Sequence, residues 1–182
     1  MDSASALRAI AKGDRSAFAA LYKSMQRPML RYATGLLAGD REAAEDAVDE
    51  AFIDIWRKAQ NWSATGSAEG WIRQIVRNKS IDWLRKQKGE VSASHEIDDA
   101  LAQLSDVGPS QVEELEHQSE AAGLRLALAK LSIEHREALW LCYFEEKPLS
   151  EIATICQCPE NTVKTRLFHA RKRLKAQIEQ IA

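Results

Sequence analysis

Between Leu149 and Lys175 the chain reads LSEIATICQCPENTVKTRLFHARKRLK, and that pattern admits few folds. Val163, Leu167, Ala170, Leu174 and Ile178 recur at steps of three and four, the spacing of one face of an α-helix. The opposite face carries Lys164, Thr165, Arg166, Phe168, His169, Arg171, Lys172 and Lys175. Val163 to Lys175 holds six Lys or Arg and no acid. Just upstream, Leu149, Ile152, Ala153 and Cys156 form the stripe of a shorter helix, with Ala153 small enough for two helices to cross closely. Pro159 stands where the second helix begins, a place where its missing N–H costs nothing. The pattern predicts a helix-turn-helix whose second helix offers a cationic face to the DNA major groove. Lys and Arg neutralise phosphates there, and an arginine fork can also read a guanine edge. An αα-hairpin with a solvated basic face has the same spacing, so the rest of the chain must decide between them.

Upstream of this segment the period is also helical. Ser3 to Lys12 reads as a short helix broken at Gly13, with Asp14 as the next cap. Phe18, Leu21, Tyr22, Met25, Met29, Tyr32, Leu36 and Leu37 continue the period, and Pro28 is expected to kink or interrupt that helix near 24–27. Gly39 and Asp40 punctuate before Arg41 to Lys58. There Ala44, Ala47, Val48, Ala51, Phe52, Ile55 and Trp56 form the inner stripe. Glu42, Glu45, Asp46, Asp49, Glu50 and Asp54 give that helix a nearly single-signed acidic outer face, suited to a basic partner. A loop over 61–67 leads to a helix over 69–86, capped by Ser67. Its stripe is Trp71, Ile72, Ile75, Val76, Ile81 and Leu84. Its other side carries Arg73, Arg77, Asn78, Lys79, Arg85 and Lys86. Trp83 lies off the stripe. It is placed either to stack an unpaired base beside that basic track or to be partly buried against a loop.

Charge then divides the chain. Residues 1–88 carry fifteen basic and eleven acidic residues; 89–120 carry nine acids and no Lys or Arg; 121–182 carry ten basic and seven acidic. The net charge of −2 conceals two mildly basic blocks on either side of an acidic joint. Gly89, Gly108 and Pro109 mark that joint as a flexible tether, periodic only over 97–104. Ser110 with Glu113 forms a capping box for a helix reaching Lys130, with stripe Val112, Leu115, Leu124, Leu128 and Leu131. Ser132 then caps a helix over 133–144 with Ala138, Leu139, Leu141, Cys142 and Phe144 inward. The expected fold is all-α: two small helical domains, 1–88 and 111–182, joined by an acidic linker over 89–110, with the helix-turn-helix in the second.

No run of eighteen apolar residues and no signal-peptide pattern occurs, so a cytoplasmic protein without membrane insertion is expected. Cys142, Cys156 and Cys158 lack paired metal spacing, and an odd number of cysteines leaves at least one unpaired. The first two fall in apolar patterns, and Cys158 falls in the turn. Four scattered histidines, His95, His117, His135 and His169, offer no nucleophile–base pairing. Neither metal, cofactor nor catalytic residue is expected, and an enzyme is the least favoured class.

Two separated stretches carry a resemblance. AAEDAVDEAFIDIWRKA (43–59) followed by GWIRQIVRNKSIDWLRK (70–86) resembles the N-terminal core of RNA polymerase sigma factors. Residues 131–175 resemble their C-terminal domain, and the short two-part chain resembles the extracytoplasmic-function group. The likeness covers about three quarters of the chain. It implies an alternative sigma factor, not an enzyme, that binds core RNA polymerase and directs promoter-specific initiation under the control of an anti-sigma factor. The implied polymerase contacts are Asp46, Asp49, Glu50, Phe52, Ile53 and Trp56, against the β′ coiled coil, with the β flap as a second contact. The implied minus-ten contacts are Asn61, Trp62, Arg73, Arg77, Asn78, Lys79, Trp83 and Arg85. Lys164, Thr165, Arg166, Phe168, His169, Arg171 and Lys172 are the implied readers of the minus-thirty-five element. The implied place of the acidic tether is along the polymerase RNA exit path.

The chain departs from that pattern at four places. Asp49 stands where Gln is usual, Gln157 and Asn161 where Gly is usual, and His169 where Arg is usual. If the turn at Gln157 needs φ > 0, the residue costs on the order of 1 kcal/mol. The alternative class is a free-standing helix-turn-helix regulator, which leaves the acidic helix and the basic helix of the first half without a role.

Overall fold

The computed structural model describes residues 2–64, 66–92 and 122–181. The expected linker, the capping box at Ser110 and the stripe positions Val112 and Leu115 lie outside the described residues. Helices account for the described architecture: α1 (Ser3–Ile10), α2 (Arg15–Leu36), α3 (Arg41–Lys58), a 3-10 turn (Ala59–Asn61) and α4 (Ala68–Ser92) in the first half. The second half contains α5 (122–129), α6 (Ile133–Leu139) continued by a π-helical turn (Trp140–Phe144), α7 (Leu149–Ile155) and α8 (Glu160–Ile181).

Capping aspartates begin the first three helices. Asp2, Asp14 and Asp40 each accept from backbone N–H groups of the first turn, at 2.8 Å from Ser5, 2.8 Å from Ser16 and 3.0 Å from Ala43. Ser132 does the same for α6, accepting from His135 N at 3.4 Å. Each such cap satisfies a donor that the helix itself leaves unpaired.

Left-handed residues end α2 and α7. At the end of α7, the N–H of Cys158 donates to the Ala153 carbonyl at 3.0 Å and the N–H of Gln157 to Thr154 at 3.3 Å. This is a Schellman closure with Gln157 at φ +50°. Gln157 thus occupies the strained conformation that glycine would adopt at little cost. A similar closure ends α2, where Gly39 N–H donates to Thr34 at 2.9 Å and Ala38 sits at φ +55°.

Four sequence expectations are corrected. Pro28 interrupts nothing: α2 is continuous from Arg15 to Leu36. The side chains around it, Met25, Met29 and Tyr32, are buried, and their packing offsets the backbone bond that proline cannot make. Next, α4 runs to Ser92, past the expected end at Lys86, because Gln87, Lys88 and Glu90 are good helix formers that carry it through Gly89. Third, Phe144 is not inward but 64% exposed. The π-turn widens the helix after Leu139, with Glu145 N–H reaching back five residues to Trp140 O at 3.2 Å, and this rotates Phe144 out of the stripe. Fourth, Leu124 and Ile178 are also partly exposed rather than buried, while Ala127 and Leu131 fill the space near α5.

In the first half α3 packs between α2 and α4, and α1 closes the end against α2 and the 3-10 turn. In the second half α6 and α7 both pack on α8. Ile152, Ile155, Val163, Leu167 and Ala170 are all buried there, as the amphipathic stripes require. The two halves also touch: α2 meets α6 and the π-turn, and α4 meets α7. One continuous apolar cluster runs through both.

Candidate functional surfaces

The period of α3 sorts its residues strictly. Ala44, Ala47, Val48, Ala51, Phe52 and Ile55 are buried, and Glu42, Glu45, Asp46, Asp49 and Glu50 face solvent. Phe52 is only 2% exposed and meets Phe18 and Tyr22 edge-on, at ring distances of 6.3 and 4.8 Å. Trp56 is half-buried and meets Phe18 at 5.4 Å. Phe52 therefore holds α3 in place from beneath. Ile53, half exposed, is the apolar group that α3 shows to the outside, beside Asp46, Asp49 and Glu50.

The acidic face is partly neutralised from within. Arg41 pairs with Glu45 at 2.9 Å, and Lys58 pairs with Asp54 at 2.8 Å. Lys79, from α4, bridges Glu50 and Asp54 at 3.3 Å each. The Lys58 and Lys79 ammoniums hold the Asp54 carboxyl below its ordinary range, against the opposing effect of burial. Asp49 accepts from the Tyr22 hydroxyl at 3.3 Å. Burial, helped by that carboxylate, pushes the Tyr22 phenol up. Asp46 stands exposed with no ion-pair partner among the described residues.

The basic side of α4 divides into three groups. Asn78 and Arg85 are exposed, and Asn61 lies exposed in the preceding turn. Trp62 is half-buried beneath the Arg8 guanidinium, 5.7 Å from its ring, and Trp83 is half-buried against the core. Lys79 is engaged with α3, as above. Arg73 and Arg77 form the third group, and their partners are in the other half of the chain.

Arg73 is 6% exposed. Its guanidinium donates to Glu145 at 2.7–2.8 Å from two nitrogens and lies 5.4 Å over the Tyr32 ring. Arg77 Nε donates to both oxygens of Glu137 at 2.8 Å. The Tyr32 hydroxyl donates to the same carboxylate at 2.7 Å. Glu137 is fully buried. Burial alone would depress the Arg77 guanidinium, yet the adjacent Glu137 carboxylate raises it on balance. Burial first, then the Glu137 charge, push the Tyr32 phenol well above its ordinary value. Trp140 completes the contact: its indole N–H donates to Glu145 at 3.3 Å, its ring stacks on Phe144 at 4.4 Å, and its face lies against the backbone of Gly35. A Cβ at Gly35 would collide with that ring. Gly35 lies in the last turn of α2 and does not have a positive φ, so the close approach of Trp140 is what requires glycine there.

Neither Glu137 nor Glu145 was singled out from the sequence. A signal existed: Ile133, Glu137 and Leu141 share one helical face, and an acid among inward positions calls for a buried cation.

On α8, Lys164, Thr165, Phe168, His169, Arg171 and Lys172 are all exposed, with Phe168 at 59%. Thr165 is bonded back to the Asn161 carbonyl at 2.9 Å. Arg171 reaches the Leu167 carbonyl and the Tyr143 hydroxyl at 3.2 and 3.3 Å. Arg166 differs from its neighbours. It is half-buried, and its Nη1 is out of water without a hydrogen-bond partner. Its charge helps keep the Glu134 carboxyl low, alongside the backbone and Ser132 hydrogen bonds that overcome burial. The exposed cations of α8 lie on the face opposite Val163, Leu167 and Ala170, the arrangement of a helix that seats one side on its domain and presents the other to polyanionic nucleic acid. Among the described residues no cluster of potential metal ligands occurs and no helix is long and apolar enough to cross a membrane.

Two helical modules, one showing an acidic helix and the other a cationic reading helix, define a DNA-binding class that also carries a surface for a protein partner. Comparison with known proteins narrows this. Residues 21–90 match the family model of sigma-70 region 2, and residues 122–174 match that of sigma-70 region 4. The extracytoplasmic-function RNA polymerase sigma factor SigM of Mycobacterium tuberculosis is 31% identical, over 92% of this chain and 80% of that protein. SigM of Bacillus subtilis is 32% identical over 75% of this chain and 80% of its own length. A probable sigma factor RfaY of Xanthomonas campestris is 29% identical, and the chain spans only 42% of its length. Among solved structures, the sigma factor RpoE in complex with the anti-sigma factor NepR from Bartonella quintana superposes with a TM-score of 0.65 at 25% identity, covering 89% of this chain and 96% of that one. CnrH in complex with the cytosolic domain of CnrY shares the fold, with a TM-score of 0.67 at 19% identity over all of both chains. The chain belongs to the extracytoplasmic-function sigma factors and is an alternative sigma factor.

Proposed function

We propose that this chain carries core RNA polymerase to a defined set of promoters in the cytoplasm, acting as an initiation factor and not as an enzyme. The exposed face of α3, with Asp46, Asp49, Glu50 and Ile53, docks on a basic element of the polymerase, the β′ coiled coil. Phe52 and Trp56 shape that face from below. The turn at Asn61 and Trp62 and the basic side of α4, with Arg73, Arg77, Asn78, Trp83 and Arg85, engage the opened minus-ten region. Lys79 contributes by holding α3 to α4. Lys164, Thr165, Phe168, His169, Arg171 and Lys172 read the minus-thirty-five element, and Arg166 positions α8 from its buried side. The family relationship to chains solved with anti-sigma factors supports control by such a partner.

The observation that carries this reading is the row of exposed cations and aromatics on α8 in the same chain as the exposed acidic face of α3. A free-standing regulator has use for the first and none for the second. The test is co-elution with core polymerase on a sizing column, with and without excess housekeeping sigma factor. Co-elution that the competitor displaces is expected. The double variant Lys164→Ala/Arg171→Ala is expected to retain polymerase binding, while promoter-directed transcription falls at least tenfold and the salt dependence of DNA binding becomes shallower. A loss of both activities would contradict separate surfaces.

A further inference from the structure

We propose that Tyr143 is a DNA-contacting residue, and that its hydroxyl and the Arg171 guanidinium together clamp one backbone phosphate beside the minus-thirty-five bases. The proposal rests on the reading of α8 as the helix that enters the major groove. Tyr143 belongs to the π-helical turn and not to α8. It stands 54% exposed there, and its hydroxyl accepts from Arg171 Nη1 at 3.3 Å. Arg171 is held at a second point, where its Nε donates to the Leu167 carbonyl at 3.2 Å. Two of the guanidinium N–H groups are thus engaged, while the second hydrogen of Nη1 and both of Nη2 remain for a ligand. The Tyr143 hydroxyl is the acceptor in its bond, so its own hydrogen has no acceptor among the described residues.

The pair suits a phosphate better than a base. Arg171 sits about three turns into α8, which begins at Glu160. A reading helix reaches base edges from its N-terminal residues, and Lys164, Thr165 and Phe168 are exposed in that part. Tyr143 comes from the end of the supporting helix, and supporting helices in this motif cross the sugar–phosphate backbone. Tyrosine hydroxyls and arginines both serve as phosphate contacts, a role that carries no sequence information. A phosphate accepts from several donors at once, and a cationic N–H beside an O–H meets that need. The π-turn makes the pairing possible. It widens the helix by closing over five residues, from the Glu145 N–H to the Trp140 carbonyl at 3.2 Å. Leu141 stays fully buried, while Tyr143, two residues on, turns outward to Arg171. Holding the long arginine at both Nε and Nη1 restricts its rotamers before DNA arrives, which lowers the ordering cost of binding. Tyr143 is therefore both a contact and the positioning group for Arg171.

The probe is a duplex selected from a random pool by core polymerase carrying the wild-type chain. Tyr143→Phe removes one oxygen and keeps the ring, at an exposed position where the hydroxyl is bonded to Arg171. Holoenzyme with Tyr143→Phe is expected to bind the selected duplex about three- to tenfold more weakly, and by a similar factor when single bases of that duplex are changed. Co-elution with polymerase and the thermal midpoint of the chain are expected to stay as in the wild type. Each phosphate of the duplex is then replaced in turn by a neutral methylphosphonate. One replacement is expected to weaken the wild type by at least about threefold and to leave Tyr143→Phe/Arg171→Ala unaffected, because the clamp is already gone. Lys164→Ala in the same assay separates the clamp from the reading beneath it. Normal binding by Tyr143→Phe where Lys164→Ala binds weakly overturns the clamp alone. If both bind normally, or if no duplex is selected, the reading of α8 fails and the clamp falls with it. A loss confined to duplexes with one particular base makes Tyr143 a base reader and overturns the phosphate contact. The clamp is equally overturned if no single replacement distinguishes the wild type from the double variant. Weakened co-elution with normal duplex binding assigns Tyr143 to a protein partner instead.

Discussion

At Gln157 a single dihedral angle stores a measurable strain. The residue closes α7 at φ +50° and is exposed, so its side chain offers no packing to offset the left-handed backbone. Gln157→Gly is expected to stabilise the second domain by about 1 kcal/mol in denaturant unfolding, the relief being partly offset by the greater freedom of glycine in the unfolded chain. No change would mean that the turn relaxes around glutamine. His135 carries a pH signal in the same domain. Its ring lies 3.1 Å from the Ser132 hydroxyl, and burial, with the charges of Arg173, His169 and Arg166, lowers its pKa below 6.5 against the opposing pull of Glu134. The folded state therefore takes up a proton less readily than the unfolded state. Stability is full above pH 6.5 and is lost as the pH falls from there through the folded pKa. Unfolding midpoints from about pH 7.5 to about pH 5.5 should show this decline, flatter in His135→Gln.

Helix α3 sets a buried and an exposed apolar side chain at adjacent residues. Phe52 and Ile53 point in opposite directions, one at 2% exposure and one at 50%. Phe52→Ala removes the ring that meets both Phe18 and Tyr22, and is expected to cost about 3–5 kcal/mol, enough to unfold much of the first domain. Ile53→Glu is expected to change stability by less than about 0.5 kcal/mol while weakening polymerase binding severalfold, measured by competition for the core enzyme. If Ile53→Glu bound normally, the docking face would lie elsewhere. Helix α2 shows the limit of a local rule. Proline predicts a break at 24–27, yet Met25, Met29, Tyr32 and Leu36 continue the buried stripe on both sides, and burial outweighs one missing backbone bond.

The two domains share one apolar cluster, sealed by buried ion pairs. Removing one partner of a buried pair is ordinarily severe, because the other charge is stranded. Here the chain has an exit: if the domains part, Arg77 and Glu137 both reach water. Changes at this seam should therefore appear as opening before they appear as unfolding, which is why scattering and not thermal melting is the informative readout. The cost of a desolvated Glu137 is tolerable only while Arg77 and Tyr32 both face it, and this makes the closed arrangement sensitive to either domain.

Much of this protein was legible in its sequence, for a physical reason. Helix periodicity, capping aspartates and the charge of an exposed face are local properties, encoded within a few residues of one another. The bounds of α3, the caps Asp14, Asp40 and Ser132, and the cationic face of α8 accordingly stand where the pattern puts them. What only the tertiary structure decided depends on residues far apart in the chain. That Arg73 is buried, that Arg77 meets Glu137 sixty positions away, and that Gly35 makes room for Trp140 follow from how two modules meet. An arginine on a helix face looks the same in sequence whether it awaits a phosphate or already holds a carboxylate. Local periodicity says which side of the helix it occupies, and only the long-range packing says what lies opposite.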